Sequence, residues 1–464
     1  MLVRDAVSQL SPVAAARRNS ELGLVIMAAG ISAVAFVLAS LGKNSTMPAS
    51  LVPFLIALLG MLLAAHVATR WLARGADGTL LPLAIMLHGI GYVMIARLSE
   101  RRAALQTTWS FVAIVAFVLT LLIVQRPPDL ARYKWTFLFV GAGLLMLPLV
   151  PGIGSSVGGA KIWVSLGPVN FQPGEFAKIA LALFFASYLA DNRELIAAGT
   201  RRVGFIRIPE LRFLLPIIFA WAFAVAVMVA EKDLGSALLF FTLFMVMMWV
   251  ATERAIYLVL GLIIFSGAAY VAWRMFDVVQ LRVDVWLDPW SQYEGKGYQP
   301  AQAMFAFANG GTAGTGLGLG NPTKIPAAST DYVFAAIGEE MGLIGATAII
   351  IAFLLLLGGG LRVAMRADRP FEKLLATGLT TIITMQAFII IGGVVRLVPL
   401  TGITLPFVSY GGSSLLSNYI LLALLLRISD SGARRRGETP DELTFSERLE
   451  ARQLRRAERK AVRA

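Results

Sequence analysis

Residues 326–358 read PAASTDYVFAAIGEEMGLIGATAIIIAFLLLLG, a short polar stretch that leads into a long apolar run. After Asp331 this run contains only two charged residues, Glu339 and Glu340. A helix needs about 20 mostly apolar residues to cross the roughly 30 Å hydrocarbon core of a bilayer. Because the run is longer than that, it predicts a membrane-spanning helix that begins beside the aspartate.

The rest of the chain repeats this pattern between short polar loops. Of its 464 residues, 57% are hydrophobic and 15% are charged, whereas a soluble domain is closer to half apolar and about a quarter charged. We therefore predict an all-α fold, a polytopic bundle of about twelve membrane-spanning helices. The predicted spans lie at 22–41, 51–69, 79–97, 108–125, 134–151, 175–190, 213–230, 235–252, 255–275, 332–358, 373–395 and 405–427.

The formal net charge is +13, and the basic residues collect in alternate short loops and in the C-terminal tail. Cytoplasmic loops are enriched in Lys and Arg, so this alternation predicts that both termini are cytoplasmic. The same placement argues against a nucleic-acid partner. Since the chain has no cysteine, a thiol nucleophile, a disulfide framework and a cysteine metal site are excluded.

Two predicted outward segments are long. Residues 152–174 are rich in glycine and serine, and residues 276–331 contain a glycine-rich stretch at 310–320. Long loops without obvious secondary structure are usually functional or disordered. The interleaved aromatic residues and glycines favour a loop that folds back onto the membrane surface. The basic tail from Ser429 is either a solvated helical or frayed segment, or a contact for anionic lipids or a cytoplasmic partner.

Several ionisable residues lie in or beside predicted spans, where they are costly and often functional. Glu175 and Lys178 share one helix face, as a local ion pair or as functional groups. Asp233 lies before an apolar run, so it is a candidate helix cap.

Near Asp331, the adjacent Glu339 and Glu340 need partners, and Arg396 on the next span is a candidate for a structural pair. They lie roughly 12 Å from Asp331 along the helix axis. Asp331 itself has two interpretations, as an ordinary helix N-cap or as a catalytic carboxylate.

Four segments of the chain resemble, in order, the SEDS proteins (shape, elongation, division and sporulation). They are GAKIWVSLGPVNFQPGEFAKI at 159–179, EKDLGSALL at 231–239, the stretch from GYQPAQAMF to GEEMGLIG at 297–345, and RLVPLTGITLPFVSYGGSSLL at 396–416. The sequences of these segments are most similar to those of the RodA branch of actinobacteria, and the FtsW branch is the sister type. Together the four segments are specific, although none would suffice alone.

The resemblance implies a core of ten spans, preceded here by two additional ones. The chain then divides into a cytoplasmic N-terminus (1–21), two additional helices (22–78), the core (79–428) with outer loops 152–174 and 276–331, and a basic cytoplasmic tail (429–464). Members of the family polymerise lipid II, an undecaprenyl-pyrophosphate-linked disaccharide-peptide, into peptidoglycan. They work with a class B penicillin-binding protein in the bacterial plasma membrane.

The family's essential aspartate matches Asp331, and its loop tryptophan matches Trp163. Many relatives carry His where Ser329 stands and Glu near Thr323, so neither of these residues is required for a common chemistry. Ile162 occupies a position that is often basic, which weakens the role of Lys161. The candidate substrate-binding residues are Trp163, Lys161, Gln172, Glu175, Lys178, Asp233, Lys324, Glu340, Arg396 and Ser409.

The resulting hypothesis makes Asp331 the base that deprotonates, or orients, the GlcNAc 4-hydroxyl of one lipid-linked chain. The leaving pyrophosphate needs no proton but does need positive charge. That charge would come from Mg²⁺ or Mn²⁺, or from the candidate cations Lys161, Lys178, Lys232, Lys324 and Arg396. No organic cofactor is expected. The alternatives are an FtsW-like division polymerase, a lipid II flippase or transporter, and a non-enzymatic scaffold.

Overall fold

The computed structural model describes residues 12–44, 51–157, 160–167, 169–198, 201–203, 206–208 and 211–439. Helices α1–α7 are Pro12–Asn44, Leu51–Leu72, Leu80–Leu98, Glu100–Ile123, Lys134–Met146, Gly174–Ala198 and Leu211–Ala230. Helices α8–α14 are Leu234–Thr252, Ile256–Met275, Asp277–Leu287, Tyr298–Gly310, Val333–Met365, Pro370–Val394 and Gly412–Arg435. Strands β1–β5 are Gly154–Val157, Ala160–Leu166, Val169–Phe171, Arg201–Val203 and Ile206–Ile208.

Ten helices within the described residues are long and apolar enough to cross a membrane. Every predicted span falls on a helix of the structure. The two spans outside the ten are 51–69, whose helix is counted only from Ile56, and 175–190, whose helix α6 carries Glu175 and Lys178. The chain is therefore an all-α, multi-pass membrane protein.

Several predicted boundaries differ from the helix ends by seven residues or more, among them the start of α4 at Glu100 in place of 108 and the end of α12 at Met365 in place of 358. Helix α1 begins at Pro12 and not at residue 22, and α14 begins at Gly412 and not at residue 405. The apolar residues before Gly412 form an irregular segment in which Phe407 has a φ of +64°. The predictions for residues 1–11 and 440–464 lie outside the described residues.

Four helices form the centre of the bundle: α3, α6, α13 and α14. Most residues of these four helices are buried, and α13 packs against α6, α8, α12 and α14. By contrast, α9 packs against α8 and α10 and exposes large apolar side chains such as Leu262 and Ile263. A bilayer would cover such a face, since lipid tails replace the water that opposes apolar exposure.

The two long outer segments are both structured. Residues 154–171 form a three-stranded antiparallel sheet in the order β1-β2-β3. The second segment contains α10, α11 and then residues 311–320, which we call the glycine segment. The sequence did not predict these two helices. That the loop folds back onto the membrane surface stays a prediction.

Helix α12 is interrupted at Gly342, where φ is +65° and ψ is −167°. The glycine segment enters this gap with its backbone: Thr315 N–H donates to Glu339 O at 2.9 Å and Gly316 N–H donates to Glu340 O at 3.0 Å. On the other side of the gap, Leu343 N–H donates to the carbonyl of Gly311 at 2.9 Å. These bonds pair the backbone of the glycine segment with α12 on both sides of the gap.

The opposite end of the bundle is held by ion pairs. Arg17 of α1 contacts Glu438 at 3.0 Å, and Arg362 of α12 contacts Asp77 at 3.1 Å. These contacts join the first helix and the end of α14 to the central helices. Asp331 lies at the other end, which we call the Asp331 face.

Candidate active site

Asp331 lies on a tight turn, which hydrogen bonds to the irregular segment before α14 hold in place. Within the turn, Thr330 N–H donates to Ala327 O at 3.0 Å, and Ala327 has a φ of +56°. The irregular segment before α14 holds the turn from behind, because Ser409 Oγ donates to the Thr330 carbonyl at 2.6 Å. Tyr410 N–H adds a bond of 2.8 Å to the turn. The predicted site residue Ser409 is thus buried and supports Asp331 through the backbone.

The helix-cap interpretation of Asp331 is wrong. The residue that caps α12 is Tyr332, and α12 has no side-chain cap hydrogen bond. The Asp331 carboxylate points instead toward the 401–402 turn, where a Cβ added to Gly402 would lie 3.9 Å from Asp331 Oδ2. The carboxylate is therefore left available for another task.

Arg282 of α10 is the cation that acts on this carboxylate. Burial raises the pKa of Asp331 above its ordinary value, while the hydrogen bond from Thr330 and the charge of Arg282 act in the opposite direction. Burial likewise lowers the pKa of Arg282, which the charges of Asp233 and Asp331 counteract. Arg282 also donates to the carbonyl of Thr401 at 3.4 Å. One arginine thus acts on two carboxylates, the buried Asp233 and the half-buried Asp331.

Asp233 caps α8, as its position in the sequence indicated. Its Oδ1 accepts from Ser236 N–H at 3.0 Å and its Oδ2 accepts from Ser236 Oγ at 2.6 Å. Burial raises its pKa, and these bonds together with Arg282 lower it. The neighbouring Glu231 is also buried, and burial together with the charge of Asp233 raises its pKa to about 8. This part of the site carries protons more readily than exposed carboxylates do.

An open cavity of about 520 Å³ lies beside the Asp331 turn. Its lining residues are Leu98, Ser99, Arg101, Arg102, Leu105 and Tyr410. Arg102 donates a short hydrogen bond to Ser329 Oγ and lies 6.0 Å from the centre of the Tyr410 ring. The cavity therefore joins two arginines to the turn that carries Asp331.

The small sheet lies on the same face and carries two predicted residues. Trp163 is half-buried on β2 opposite Ser155 of β1. Lys161 N–H donates to the carbonyl of Glu231 at 3.0 Å, and its Nζ donates to Leu149 O at 3.4 Å. The first bond fixes the sheet to the turn between α7 and α8, and the second fixes it to the end of the turn after α5.

Glu175 and Lys178 form a buried ion pair of 2.6 Å at the start of α6. Ser417 Oγ donates to the same carboxylate oxygen at 2.7 Å, and Lys178 Nζ donates to Gln386 Oε1 at 2.7 Å. The pair therefore links α6 to α13 and α14. Nearby, Gln172 N–H donates to Ser413 Oγ at 3.1 Å, which joins the end of the sheet to α14.

The proposed partner of the buried glutamates was wrong. Glu340 pairs with Arg97 of α3 at 3.1 Å, and its other oxygen accepts from Gly318 N–H at 3.0 Å. Arg396 instead donates to the carbonyls of Trp286 and Leu287, at 2.6 and 3.0 Å. The difference arises because the glycine segment separates the glutamates from Arg396, which no spacing along the sequence reveals.

Lys324 remains an exposed residue of the short 3₁₀ turn Pro322–Lys324, seven positions before Asp331. The structure brings most of the other predicted residues to the Asp331 face or just beneath it. It does not bring Arg396 or Glu340 to the carboxylate of Asp331, since both side chains are engaged elsewhere.

A protein-held metal does not fit this site. Within the described residues, no group of three or more histidine or acidic side chains is arranged to hold an ion. The charged neighbour of Asp331 is an arginine, whereas Mg²⁺ prefers oxygen ligands and an octahedral arrangement. We therefore derive no step through a metal.

Sequence reasoning missed Arg282, Arg102 and Arg97. Arg282 is the only arginine in the segment 276–331, so the composition of this segment could have drawn attention to it. Arg101 and Arg102 lie in an otherwise charge-poor outer loop, and this exception to the charge pattern was a signal that could have indicated a site there. Nothing in the sequence indicated that Arg97, at the end of α3, would reach Glu340.

Comparison with known proteins identifies the family and the fold. The sequence profile of the FtsW, RodA and SpoVE cell cycle proteins matches residues 78–433, which include Asp331, Arg102 and Arg282. The chain belongs to this family. Helix α1 and most of the residues before α3 lie outside the matched region.

The relatives within this family include both of its main types. The chain is 43% identical over 437 residues to the peptidoglycan glycosyltransferase RodA of Mycobacterium tuberculosis H37Rv, covering 92% of this chain and 93% of that protein. The RodA of Mycobacterium leprae is 39% identical over 436 residues. A probable peptidoglycan glycosyltransferase FtsW of Geobacter metallireducens is 36% identical, over 62% of this chain and 74% of its own length.

Solved structures of the family have the same fold. A chain from a structure titled "Structural coordination of polymerization and crosslinking by a peptidoglycan synthase complex" superposes with a TM-score of 0.64 at 25% identity, covering 79% of this chain and 99% of that one. The rod shape determining protein RodA of Thermus thermophilus superposes with a TM-score of 0.54, covering 78% of this chain and 98% of its own.

Proposed function

We propose that this chain is a peptidoglycan glycosyltransferase that polymerises lipid II into glycan strands, with Asp331 as its base. The observation that carries the assignment is the state of the Asp331 carboxylate. It is held at a bundle face by a bonded turn, is not used as a helix cap, and lies within the field of Arg282. The relatives named as peptidoglycan glycosyltransferases, matched over nine-tenths of the chain, support this function.

In the proposed reaction, Asp331 accepts the proton of the GlcNAc 4-hydroxyl on one lipid-linked chain. The freed oxygen attacks the anomeric carbon of the other chain, so that a C1–O4 bond forms while the bond from C1 to the phosphate oxygen breaks. The undecaprenyl pyrophosphate leaves as an anion and takes no proton. One carboxylate therefore suffices, unlike glycoside hydrolysis, where a second carboxyl protonates the leaving group.

The structure changes which cations we expect to act on the pyrophosphate. Lys178 already bonds to Glu175 and Gln386, and Arg396 is bonded to backbone carbonyls. Arg101 and Arg102 instead line the cavity beside the Asp331 turn. We propose that they neutralise the leaving group, since charge stabilisation is strongest for groups fixed in place before the reaction.

The proposed setting is the bacterial plasma membrane, with both termini in the cytoplasm and Asp331 at the outer surface. A class B penicillin-binding protein is the proposed partner, and the solved relative from a complex that couples polymerisation with crosslinking supports it. We propose a role in cell elongation, because the mycobacterial RodA relatives match more of the chain than the FtsW relatives do. Mg²⁺ or Mn²⁺ dependence stays a prediction, to be tested by adding EDTA to the polymerisation assay.

The decisive experiment replaces Asp331 with Asn and measures polymerisation of purified lipid II by the chain with its partner. We expect a loss of about 10²–10⁴-fold, the usual contribution of a general base. Asp284→Asn is the matched control, since Asp284 is an exposed carboxylate on α10, and it is expected to keep wild-type activity.

Full activity of a folded Asp331→Asn variant would remove the assignment. Reconstituted vesicles test the alternative of a flippase. Transport of labelled lipid II by the wild-type chain without any glycan product would replace the polymerase by a transporter.

A further inference from the structure

Helix α1 touches the glycine segment backbone to backbone. A Cβ added to Gly42 would lie 2.3 Å from the Leu317 carbonyl oxygen, and one added to Gly318 would lie 2.3 Å from the Ala39 carbonyl oxygen. Real Cβ atoms never approach that closely, so both positions require glycine if this contact is to persist. Around the contact, Ala35, Ala39 and Val93 form a small buried cluster against which Leu317 packs.

The glycine segment is in turn bonded to the first part of α12. The carboxylate of Glu340 accepts from Gly318 N–H at 3.0 Å, and that of Glu339 accepts from Asn321 N–H at 3.0 Å. Arg97 completes the connection, because it pairs with Glu340 and also donates to the Gly320 carbonyl at 2.9 Å. The segment is therefore clamped between α1, α3 and α12.

The turn that carries Asp331 leads directly into the first part of α12. Asp331 lies two residues before Val333, and the gap at Gly342 separates this part of α12 from the rest of the helix. A displacement of the glycine segment would therefore act on Glu339 and Glu340, and through the first part of α12 on the turn of Asp331. A shift of about 1 Å at a catalytic group can cost about 100-fold in rate.

We propose that α1 is a positioning element for the active site, and that Gly42 and Gly318 are its positioning residues. This inference rests on the proposed function of Asp331. Helix α1 lies outside the region matched by the family profile, so the contact is an addition to the shared core. The alternative is that α1 only shields α3 from lipid.

The test replaces Gly42 with Leu and, on the same helix, Gly30 with Leu as the matched control. A Cβ at Gly30 has nothing within 4 Å, so that variant changes helix α1 without touching the glycine segment. Deuterium uptake of peptides from 311–321 reports on the amide bonds to Glu339 and Glu340 in the full chain with its partner. Lipid II polymerisation gives kcat and KM for the same samples.

We expect Gly42→Leu to raise deuterium uptake in 311–321 and to lower kcat about tenfold or more, with KM changed less than about twofold. Gly30→Leu is expected to match the wild type in both measurements. If Gly42→Leu does not fold, Gly42→Ala gives the same comparison with one methyl group against the Leu317 carbonyl.

Three outcomes overturn the proposal. Uptake that stays at the wild-type level shows that α1 does not hold the glycine segment. Raised uptake with unchanged kcat shows that the segment does not position the base. Equal effects of the Gly42 and Gly30 variants leave only the covering role. A wild-type chain that forms no glycan refutes the proposed function separately, since deuterium uptake still reports the contact.

Discussion

At the scale of single residues, the site is one arginine, Arg282, that acts on two carboxylates, the half-buried Asp331 and the buried Asp233. Taking Asp331 out of water raises its pKa, and Arg282 returns part of the stability of the charged form. A base with a raised pKa binds its proton more strongly than an ordinary aspartate does, and catalysis near neutral pH benefits from this. The hydrogen bond with Thr330 and the charge of Arg282 together limit how far the pKa of Asp331 rises.

This arrangement predicts the pH dependence of polymerisation. Replacing Arg282 with Ala removes the charge that favours ionised Asp331, so the pKa of Asp331 rises further. Because the base must be deprotonated, the acidic limb of the kcat/KM profile moves to higher pH. Arg282→Lys keeps the charge and is expected to stay closer to the wild-type profile.

The control for this experiment is Lys296→Ala, which removes an exposed cation from the same outer segment. Its acidic limb is expected to coincide with that of the wild type. A profile of Arg282→Ala that keeps the wild-type limb, or moves it to lower pH, contradicts the electrostatic role.

The sequence identified Asp331 through the resemblance of its motif, whereas position alone allowed a helix cap. It did not identify Arg282, because the spacing of 49 positions between the two residues carries no geometric information. Only the docking of α10 against the 401–402 turn brings the arginine to the carboxylate. Arg396 failed for the same reason, since its real partners are backbone carbonyls on a distant helix.

At the scale of elements, α6, α13 and α14 are joined by the polar network around Lys178. Gln386 accepts from Lys178 and donates through Nε2 to the Thr404 carbonyl at 2.9 Å. The network therefore reaches from the start of α6 to the irregular segment that supports Asp331. Charges buried at this depth are tolerated only because each has a bonded partner.

This network predicts strong coupling between Glu175 and Lys178. Glu175→Gln leaves a buried ammonium group with only a neutral partner, and Lys178→Met leaves a buried carboxylate. Each is expected to destabilise the protein by about 3–5 kcal/mol. The double variant is expected to lose less than the sum, by about 0.5–3 kcal/mol, as measured by unfolding in detergent.

Thr384→Val is the matched control on α13, because the Thr384 hydroxyl bonds only to the Thr380 carbonyl of its own helix. Its unfolding free energy is expected to stay close to that of the wild type. Strictly additive effects of the two charge variants would show that the ion pair is not an energetic unit.

Apolar runs were sufficient to find the spans, because crossing a bilayer imposes both a length and a composition. The same rule predicted span residues wrongly where apolar residues have another structural role. Residues 405–411 look like the beginning of a span but form the support of the Asp331 turn, with Phe407 in a left-handed conformation. The sheet at 154–171 was missed because its short strands alternate too briefly to show a period.

At the scale of the whole molecule, stability is concentrated in the central helices. Residues such as Leu379 of α13 are fully buried, whereas Leu262 of α9 is 65% exposed. Helix α9 adds to the described bundle mainly through α8 and α10. Its outward face is available to lipid or to another membrane helix.

This distribution predicts a contrast between two identical substitutions. Leu379→Ala leaves a cavity in the centre and is expected to cost about 2–5 kcal/mol of unfolding free energy. Leu262→Ala is expected to change the unfolding free energy by less than about 0.5 kcal/mol in detergent. Equal losses at the two sites would show that α9 is packed as firmly as the central helices.

The interruption of α12 at Gly342 also has an electrical consequence. The first part of the helix is a separate dipole, with about half a positive elementary charge at the end next to Asp331. Its negative end, at the Glu339 and Glu340 carbonyls, is compensated by the amides of Thr315 and Gly316. The broken helix therefore directs a short, one-sided field at the reacting carboxylate.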